Sequence, residues 1–449
     1  MTNDPLDADE TKARAGGAEP GPTFTSATTG STSAMIGRTR WLVCAMLFFA
    51  TTINYIDRQV LSILKPLLQD ELGWSEADYG WIASAFMFGY AIMMPVAGRL
   101  IDRLGTRLGY ALAVLLWSLS SASHMFARTV AQFAAARFSL GLTEAANFPA
   151  AVRTVADWFP QKERSLAMGI LNSGSNVGLV IAAGAPFVAY EWGWPATFLM
   201  TGALGVFWGI PWLYWFRNPE EHSWVRAPER AHIQSDRPVE AATPPRYREL
   251  LGLRGSWAFM AGKFLTDPVW WFFLFWIPSF LNSQYGVDLL SMGPPLLAIY
   301  LAADVGSIGG GWLFKALRGR GWSASRSRKG AMLLCALAAT PIVGILYVGS
   351  LWPAVALVSC AAAAHQGWSS NLFTLVSDTT PRVAVASVVG MGGLTGAVAG
   401  MLISPAVGYW LDYSGNAYTP LFFIGATVYL IAFGIIHILV GELPESAAQ

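Results

Sequence analysis

Long apolar segments follow one another along almost the whole chain, with short polar stretches between them. Each segment has roughly the 17–25 residues that an α-helix needs to cross a bilayer. The first six lie at 39–64, 79–103, 107–127, 130–157, 165–190 and 195–216, and the second six lie at 256–283, 291–317, 329–349, 352–378, 384–411 and 418–441. The pattern predicts an all-α polytopic membrane protein with twelve transmembrane helices.

The polar stretches predict how these segments are grouped. Residues 1–37 have no apolar core and are typical of a disordered cytoplasmic tail. The longest polar interruption, at 218–255, predicts a cytoplasmic connector between a six-helix bundle at 38–217 and a second bundle at 256–441, and residues 442–449 form a short cytoplasmic tail. A Gly-x3-Asp motif at the end of the second segment has a degraded copy, Gly-x3-Lys, at the end of the eighth. Two pseudo-symmetric bundles of this kind are typical of alternating-access carriers.

Composition supports a membrane location, and the placement of charge predicts an orientation. Charged residues make up 13% of the chain, about half of their share in a soluble protein. Of 29 Lys and Arg residues, only Lys65 and Arg128 lie in predicted loops after odd-numbered segments. Because basic loops stay on the cytoplasmic side, both termini are predicted to be cytoplasmic. The three cysteines are isolated and no zinc-ligand spacing, phosphate loop or nucleic-acid motif occurs, so we expect no metal, cofactor or nucleic-acid partner.

The first segment carries an acid and a base in the middle of its apolar run. Asn54, Asp57, Arg58 and Leu61 have helical spacing and share one face. A charge inside a bilayer-spanning helix costs roughly 2.5–3.5 kcal/mol on insertion scales, so such residues persist where they face a wet cavity and serve function. The alternative is a local Asp57–Arg58 ion pair that only fixes helix packing.

The fourth segment carries a second stripe of this kind. Arg137, Gly141, Glu144 and Phe148 recur at positions i, i+4, i+7 and i+11. Burial disfavours the charged form of a carboxylate unless a cation is close, so an acid here can take up and release a proton. The alternative is a satisfied Arg137–Glu144 pair with a packing role only.

The second half of the chain contributes its own polar groups. Lys263 and Asp267 lie one helical turn apart on the seventh segment and precede Trp271. The tenth segment is rich in hydroxyl and amide groups, which suit the hydroxyls of a sugar, while an indole suits the C–H face of a sugar ring. The alternatives are interhelical hydrogen bonds for the tenth segment and, for Lys263, extension to the membrane surface.

Several motifs resemble a known family. Residues 98–107 (Gly-x3-Asp-Arg-x-Gly-x-Arg) resemble the signature between the second and third helices of the major facilitator superfamily. Residues 54–58 (Asn-Tyr-Ile-Asp-Arg) and 137–149, which contain Arg-x3-Gly-x2-Glu-Ala-x2-Phe-Pro, resemble its anion:cation symporter family. The stretches that are similar to bacterial hexuronate transporters are 263–271, 303–312 and 365–369.

The resemblance covers about residues 38–441 and implies proton-driven uptake of a sugar acid through a major facilitator fold. It implies that Asp57 and Glu144 are the proton-responsive carboxylates. One departure is Ser279, where a hexuronate transporter is expected to carry a charged residue. The substrate ligands and neighbouring cation that the resemblance implies are Tyr55, Arg58, Tyr90 and Arg137.

The residues themselves add further candidates for substrate binding. The carboxylate of a sugar acid needs a cation, for which Arg58 offers a bidentate fork and Lys263 a second charge facing it from the other half. The sugar hydroxyls need neutral donors and acceptors, and the sugar ring needs an aromatic face. The other predicted substrate-binding residues are Asn172, Trp271, Trp368, Ser369, Ser370 and Asn371.

The motif at 98–107 also predicts a gate. Asp102 is expected to pair with Arg103 or Arg107 and with the positive end of a neighbouring helix dipole. Such contacts would latch the two halves together on the cytoplasmic side. Asp304, in the eighth segment, is a further predicted gating residue.

Together these features predict a proton-coupled symporter that imports a sugar acid of the hexuronate type across a bacterial inner membrane by alternating access. Its predicted partners are a small organic anion, protons and the lipid bilayer, with the proton as coupling ion, and we expect the monomer to function. One alternative is an anion exchanger or a sodium-coupled carrier of another organic anion such as an aldonate. Another is a membrane-embedded enzyme or sensor, although the short loops hold no catalytic cluster.

Overall fold

Helices account for nearly all of the structure. A computed structural model describes residues 38–235, 247–381 and 384–443, and no strand occurs in these ranges. The predicted tail at 1–37, the middle of the predicted connector and residues 444–449 lie outside them.

The helices follow the predicted order. The first half contains α1 (Thr39–Leu72), α2 (Glu76–Ser123), α3 (Val130–Glu144), α4 (Asn147–Trp158), α5 (Gln161–Ala182) and α6 (Ala185–Trp215). The connector contributes α7 (Ala227–Gln234) and α8 (Tyr247–Leu250). The second half contains α9 (Arg254–Tyr285), α10 (Gly293–Gly319), α11 (Ala324–Ala339), α12 (Leu351–Thr379), α13 (Val385–Ser414) and α14 (Thr419–Val440). Short 3-10 turns lie at His124–Phe126, Leu290–Met292 and Thr340–Tyr347.

Two helices contain a sharp bend at a glycine. Gly105 in α2 has φ 74° and Gly193 in α6 has φ 79°, a backbone region that glycine enters at low cost. Gly105 therefore separates the second and third predicted segments, and Gly193 separates the fifth and sixth. Eight helical stretches of the described chain are long and apolar enough to cross a membrane. One of them, Glu76–Phe126, contains both the second and the third predicted segments.

The first helix is longer than the apolar pattern predicts, because α1 continues to Leu72. Lys65, which the pattern places in a loop, is therefore inside the helix, and none of its surface is exposed. Its ammonium group bonds Oε2 of Glu76 and lies 4.6 Å from the centre of the Tyr79 ring. An acidic partner and an aromatic face together allow this charge to be buried.

The helices run between two sides of the molecule. We call the side with the basic loops the basic side; it holds the bend at Gly105 and the connector. The opposite side, called the far side, holds the end of α1 and the beginning of α2. Among the described residues, helices of the two halves meet most extensively along three pairs, which are α1 with α9, α2 with α13, and α5 with α10. The charged stripes on the first and seventh predicted segments therefore lie on helices at the boundary between the halves.

Within the first half, α2 and α3 cross very closely at two glycines. A Cβ atom on Gly141 would lie 2.1 Å from the carbonyl oxygen of Phe86, and one on Gly89 would lie 2.3 Å from that of Phe138. Both distances are far below van der Waals contact, and the clashing atoms are backbone. Small residues at a helix crossing let the backbones approach in this way, which brings the α3 stripe close to α1 and α2.

We expect Gly141→Ala to lower the stability of the protein by about 1–3 kcal/mol, because the added methyl group forces α2 and α3 apart. The measurement is the thermal unfolding midpoint of the purified protein in detergent. Gly169→Ala in α5 is the matched control, since a Cβ there meets no atom within 4 Å. Equal unfolding midpoints for the two variants would contradict the close crossing.

Candidate functional site

Arg58 forms a buried ion pair at the centre of the first half. Its Nε and Nη2 atoms donate to Oε2 of Glu144 at 3.1 and 2.9 Å, and Nη2 also donates to Oδ1 of Asn54 at 3.2 Å. Arg58 is 4% exposed and Glu144 is 1% exposed. The structure thus joins the charged stripe of α1 to that of α3.

Four aromatic rings surround this guanidinium group. Its central carbon lies 4.7 Å from the ring centre of Tyr55, 5.1 Å from Phe86, 5.4 Å from Tyr90 and 5.8 Å from Trp271. Trp271 belongs to α9, so the second half of the chain completes the enclosure. The predicted residues Tyr55, Tyr90 and Trp271 are brought together, whereas Phe86 has no polar neighbour in the sequence that would single it out.

Arg137 stabilises the backbone of Arg58. Its Nη1 and Nη2 atoms each donate to the backbone carbonyl oxygen of Arg58 at 3.1 Å, which ties α3 to α1. The alternative of a satisfied Arg137–Glu144 pair is therefore wrong, because Glu144 gives its charge to Arg58 instead. Arg137 belongs to the polar cluster, as the resemblance implied, but it holds the backbone of Arg58 rather than an acid.

Asp57 points away from Arg58. Its Oδ1 atom accepts a hydrogen bond of 2.7 Å from the hydroxyl of Ser121, and its Oδ2 atom has no hydrogen-bond partner in the part of the chain that the structure describes. The local Asp57–Arg58 pair is thus wrong, since consecutive residues of a helix project about 100° apart. The two predicted proton-responsive carboxylates occupy different surroundings, one beside a guanidinium and one beside a hydroxyl.

Unused hydrogen-bonding capacity collects around Arg58. Oε1 of Glu144, Nδ2 of Asn54 and Nε1 of Trp271 are buried and have no partner among the described residues. Each belongs to a side chain that itself contacts Arg58. An unsatisfied buried polar atom costs about 1–3 kcal/mol, so a polar ligand that pairs with these atoms would recover that cost.

The second half contains a separate ion pair on α9. Nζ of Lys263 lies 2.7 Å from Oδ2 of Asp267. Lys263 is two turns before Trp271, about 12 Å along the helix axis towards the basic side. The structure therefore does not place Lys263 opposite Arg58, as the sequence predicted, but on the basic side of the aromatic enclosure.

Glycines of α13 make room for this face of α9. A Cβ atom on Gly396 would lie 2.1 Å from Oδ2 of Asp267, and one on Gly400 would lie 2.9 Å from Cδ1 of Trp271. The glycine spacing of four residues therefore lets α13 pack directly against the polar stripe of α9.

Two residues of α12 that were predicted to bind substrate make close contacts with other helices. Asn371 uses both ends of its amide, because Nδ2 donates to the carbonyl oxygens of Gly310 and Gly367 at 2.9 Å and Oδ1 accepts from Arg328 at 3.1 Å. Trp368 is fully buried, with its ring centre 5.7 Å from that of Tyr429. Trp368 keeps a buried Nε1 without a hydrogen-bond partner among the described residues. The roles of Trp368 and Asn371 in substrate binding therefore stay predictions.

The other neutral candidates remain open to a ligand. Ser369 and Ser370 are half-buried, with the Ser370 hydroxyl donating to Gly367 at 3.0 Å, and Asn172 in α5 is exposed. Nearby on α5, Nδ2 of Asn176 bonds Oδ1 of Asp304 in α10. Asp304 therefore joins the two halves, which is the kind of contact that a gating residue needs.

The basic-side signature makes its contacts within the first half. Asp102 pairs with Arg153 of α4, with Oδ1 and Nη1 3.2 Å apart. Arg107 donates from Nε and Nη2 to the carbonyl oxygen of Leu213 at 3.0 and 2.6 Å, and Arg103 is exposed. The predicted pairing of Asp102 with Arg103 or Arg107 is wrong, because the bend at Gly105 turns the following residues towards α6.

Comparison with known proteins identifies the fold and the family. The Major Facilitator Superfamily profile matches residues 47–403. The chain is 32% identical over 416 residues to the hexuronate transporter of Escherichia coli strain K12, covering 90% of this chain and 95% of that protein. It is 33% identical over 336 residues to the galacturonate transporter of Dickeya chrysanthemi, covering 72% of this chain and 95% of that protein.

A solved structure agrees in fold. A bacterial homolog of the human lysosomal transporter Spinster, in an inward-facing and unoccupied conformation, has a TM-score of 0.66 at 19% identity over 89% of this chain and 95% of that chain. At this identity the likeness concerns the fold alone. The named relatives are transporters, and together with the profile match over most of the chain they show that this protein is a multi-pass membrane transporter of the major facilitator superfamily.

Proposed function

We propose that this protein is a proton-coupled symporter that imports a sugar acid, with a hexuronate as the first candidate substrate. Relatives that are about one-third identical are named as hexuronate and galacturonate transporters. Both termini would be cytoplasmic in a bacterial inner membrane, because the basic loops lie on their side. The far side of the structure would then face the periplasm.

The observation that carries the proposal is the buried Arg58–Glu144 pair with unpartnered polar atoms around it. A guanidinium group binds a carboxylate through two parallel hydrogen bonds, so the substrate carboxylate can take the place of Glu144. The indole of Trp271 and the amide of Asn54 offer donors to sugar hydroxyls. The aromatic enclosure offers an apolar face for the C–H groups of the ring.

Proton coupling follows from this competition for one cation. When the substrate carboxylate takes Arg58, Glu144 is left in a buried site without its counter-charge. A carboxylate in that position is stabilised by taking up a proton, so substrate binding and proton uptake occur together. Asp57 forms no ion pair with the residues that the structure describes, and we propose that it carries a proton while it remains buried against Ser121.

The neutral variants Glu144→Gln and Asp57→Asn test this assignment. A coupling free energy of about 1–3 kcal/mol corresponds to a 5–150-fold effect, so each variant should lose accumulation driven by a pH gradient by about tenfold or more. Substrate exchange at equal pH on both sides should persist, because it needs no net proton movement. The measurement is uptake of labelled glucuronate and galacturonate into proteoliposomes with the gradient on or off.

The same assay separates the rival functions. An anion exchanger would accumulate substrate only against a trans anion, and a sodium-coupled carrier would follow a sodium gradient. Full pH-driven accumulation in both neutral variants would overturn the roles of Asp57 and Glu144. Wild-type uptake that ignores the pH gradient would overturn proton coupling itself.

The carboxylate role of Arg58 has a sharper test. Arg58→Lys keeps the charge but loses the planar fork, so we expect the affinity for a uronate to fall by about 10- to 100-fold, as for loss of a charged hydrogen bond. Binding of the uncharged parent hexose to Arg58→Ala should change far less than binding of the uronate. The measurement is ligand binding by calorimetry to the purified protein.

Lys263→Ala is the matched comparison for Arg58, since it removes a half-buried, paired cation without touching the aromatic enclosure. It should weaken uronate binding less than Arg58→Ala does. If Arg58→Ala costs the uronate and the hexose equally, Arg58 is a structural partner of Glu144 and does not bind the carboxylate.

A further inference from the structure

We propose that Asp412 of α13 is the latch of the far-side gate, and that it holds the gate closed by capping the start of α2. The inference deepens the proposed function, because it rests on a carrier that alternates between two states. It names the contact that must break when the far side opens.

Asp412 bonds the backbone of the opposite half. Its Oδ1 and Oδ2 atoms accept hydrogen bonds from the backbone N–H groups of Glu76 and Ala77 at 2.8 and 2.7 Å. These are the first two residues of α2, where the helix dipole is positive and the N–H groups have no partner within the helix. A carboxylate in this position combines two charge-assisted hydrogen bonds with a favourable dipole interaction.

The capping box at the start of α2 does not involve Asp412. Ser75 and Asp78 already form a complete capping box, in which Asp78 N–H donates to the Ser75 hydroxyl oxygen at 3.0 Å and Ser75 N–H donates to Oδ2 of Asp78 at 3.0 Å. This box belongs entirely to the first half. Asp412 therefore supplies, from the other half, acceptors for two N–H groups that this box does not serve, which points to a role between the halves.

The charges on the first-half side of the gate compensate one another. Lys65 bonds Oε2 of Glu76, and Nε2 of Gln69 donates to Oε1 of the same carboxylate at 3.2 Å. All three residues move with the first half, so their bonds survive when the halves separate. The contacts of Asp412, by contrast, must break, and an opening gate would leave its carboxylate to be solvated by water.

Tight packing around the latch restricts this part of the interface. A Cβ atom on Gly408 would lie 2.4 Å from the carbonyl oxygen of Glu76, and one on Gly80 would lie 2.6 Å from that of Ser404. Deeper in the interface, the hydroxyl of Ser84 donates to the carbonyl oxygen of Met401 at 2.8 Å. These contacts form only while α2 and α13 pack directly against each other. They are lost together when the two helices separate, so the loss of Asp412 weakens the closed state as a whole.

The test measures the gate directly, without substrate or a proton gradient. Spin labels at Asp70→Cys and Ser350→Cys, exposed positions at the far-side ends of α1 and α12, report the separation of the halves after Cys360, the exposed native cysteine, is replaced by Ser. Pulsed electron spin resonance gives the population of the closed and open states. We expect Asp412→Asn to shift the closed-to-open ratio roughly tenfold towards open, because the amide keeps one acceptor but loses the charge.

Asp78→Asn is the matched control. It makes the same chemical change at the same helix end but touches only the first half, so the ratio should stay at the wild-type value. Asp412→Glu is a second variant in case Asp412→Asn folds poorly. It keeps the charge, so most of the closed population should remain. Equal ratios in Asp412→Asn and Asp78→Asn, or an Asp412→Glu variant as open as Asp412→Asn, would overturn the latch. A clear shift in a protein that shows no proton-driven uptake would retain the latch and reject the coupling.

Discussion

The pairing of Arg58 with Glu144 is the interaction on which the rest of the site depends. A charge of either sign is costly inside a membrane-spanning bundle, so each member of the pair requires the other. Arg137 fixes the backbone of Arg58, and the two glycines at the crossing of α2 and α3 bring Glu144 within reach. The pair in turn gives the four aromatic rings a cation to enclose.

The two acids of the first half, Glu144 and Asp57, have different partners. In the proposed mechanism Glu144 would share its cation with an entering anion, whereas Asp57 accepts a hydrogen bond from the Ser121 hydroxyl on a different flank of α1. A carrier in which one acid competes directly with substrate and the other does not can respond to binding and to pH through different groups. The adjacent positions 57 and 58 on one helix thereby serve two separate surroundings.

The two halves contribute unequally to the closed state. The first half supplies the buried ion pair and an already capped helix end, while the second half supplies Trp271 to the site and Asp412 to the far-side interface. In the proposed mechanism, opening the far side would break contacts between the halves but would leave the bonds of Lys65 to Glu76 and of Arg58 to Glu144 intact. Rigid halves with a breakable interface are what alternating access requires.

The sequence by itself determined the membrane class, the segments and the polar stripes, because apolar length and helical period depend only on local order. The polar stripes singled out Arg58 and Glu144 as candidate site residues, and the resemblance to a known family added Tyr55 and Tyr90. Only the tertiary structure decided which partner each residue has. Helical spacing defines a face but not the neighbour that packs on it. The sequence therefore could not predict that Arg58 pairs with Glu144 and not with Asp57.

The same limit explains why other residues have partners that the sequence did not predict. Asn371 lies in a polar run, yet its amide bonds the backbone of α10 and the side chain of Arg328 in α11. Asp102 lies in a signature of basic residues, yet the bend at Gly105 leaves Arg153 of another helix nearest to it. Which helix lies beside a given face is set by packing over the whole bundle, and no local pattern of residues encodes it.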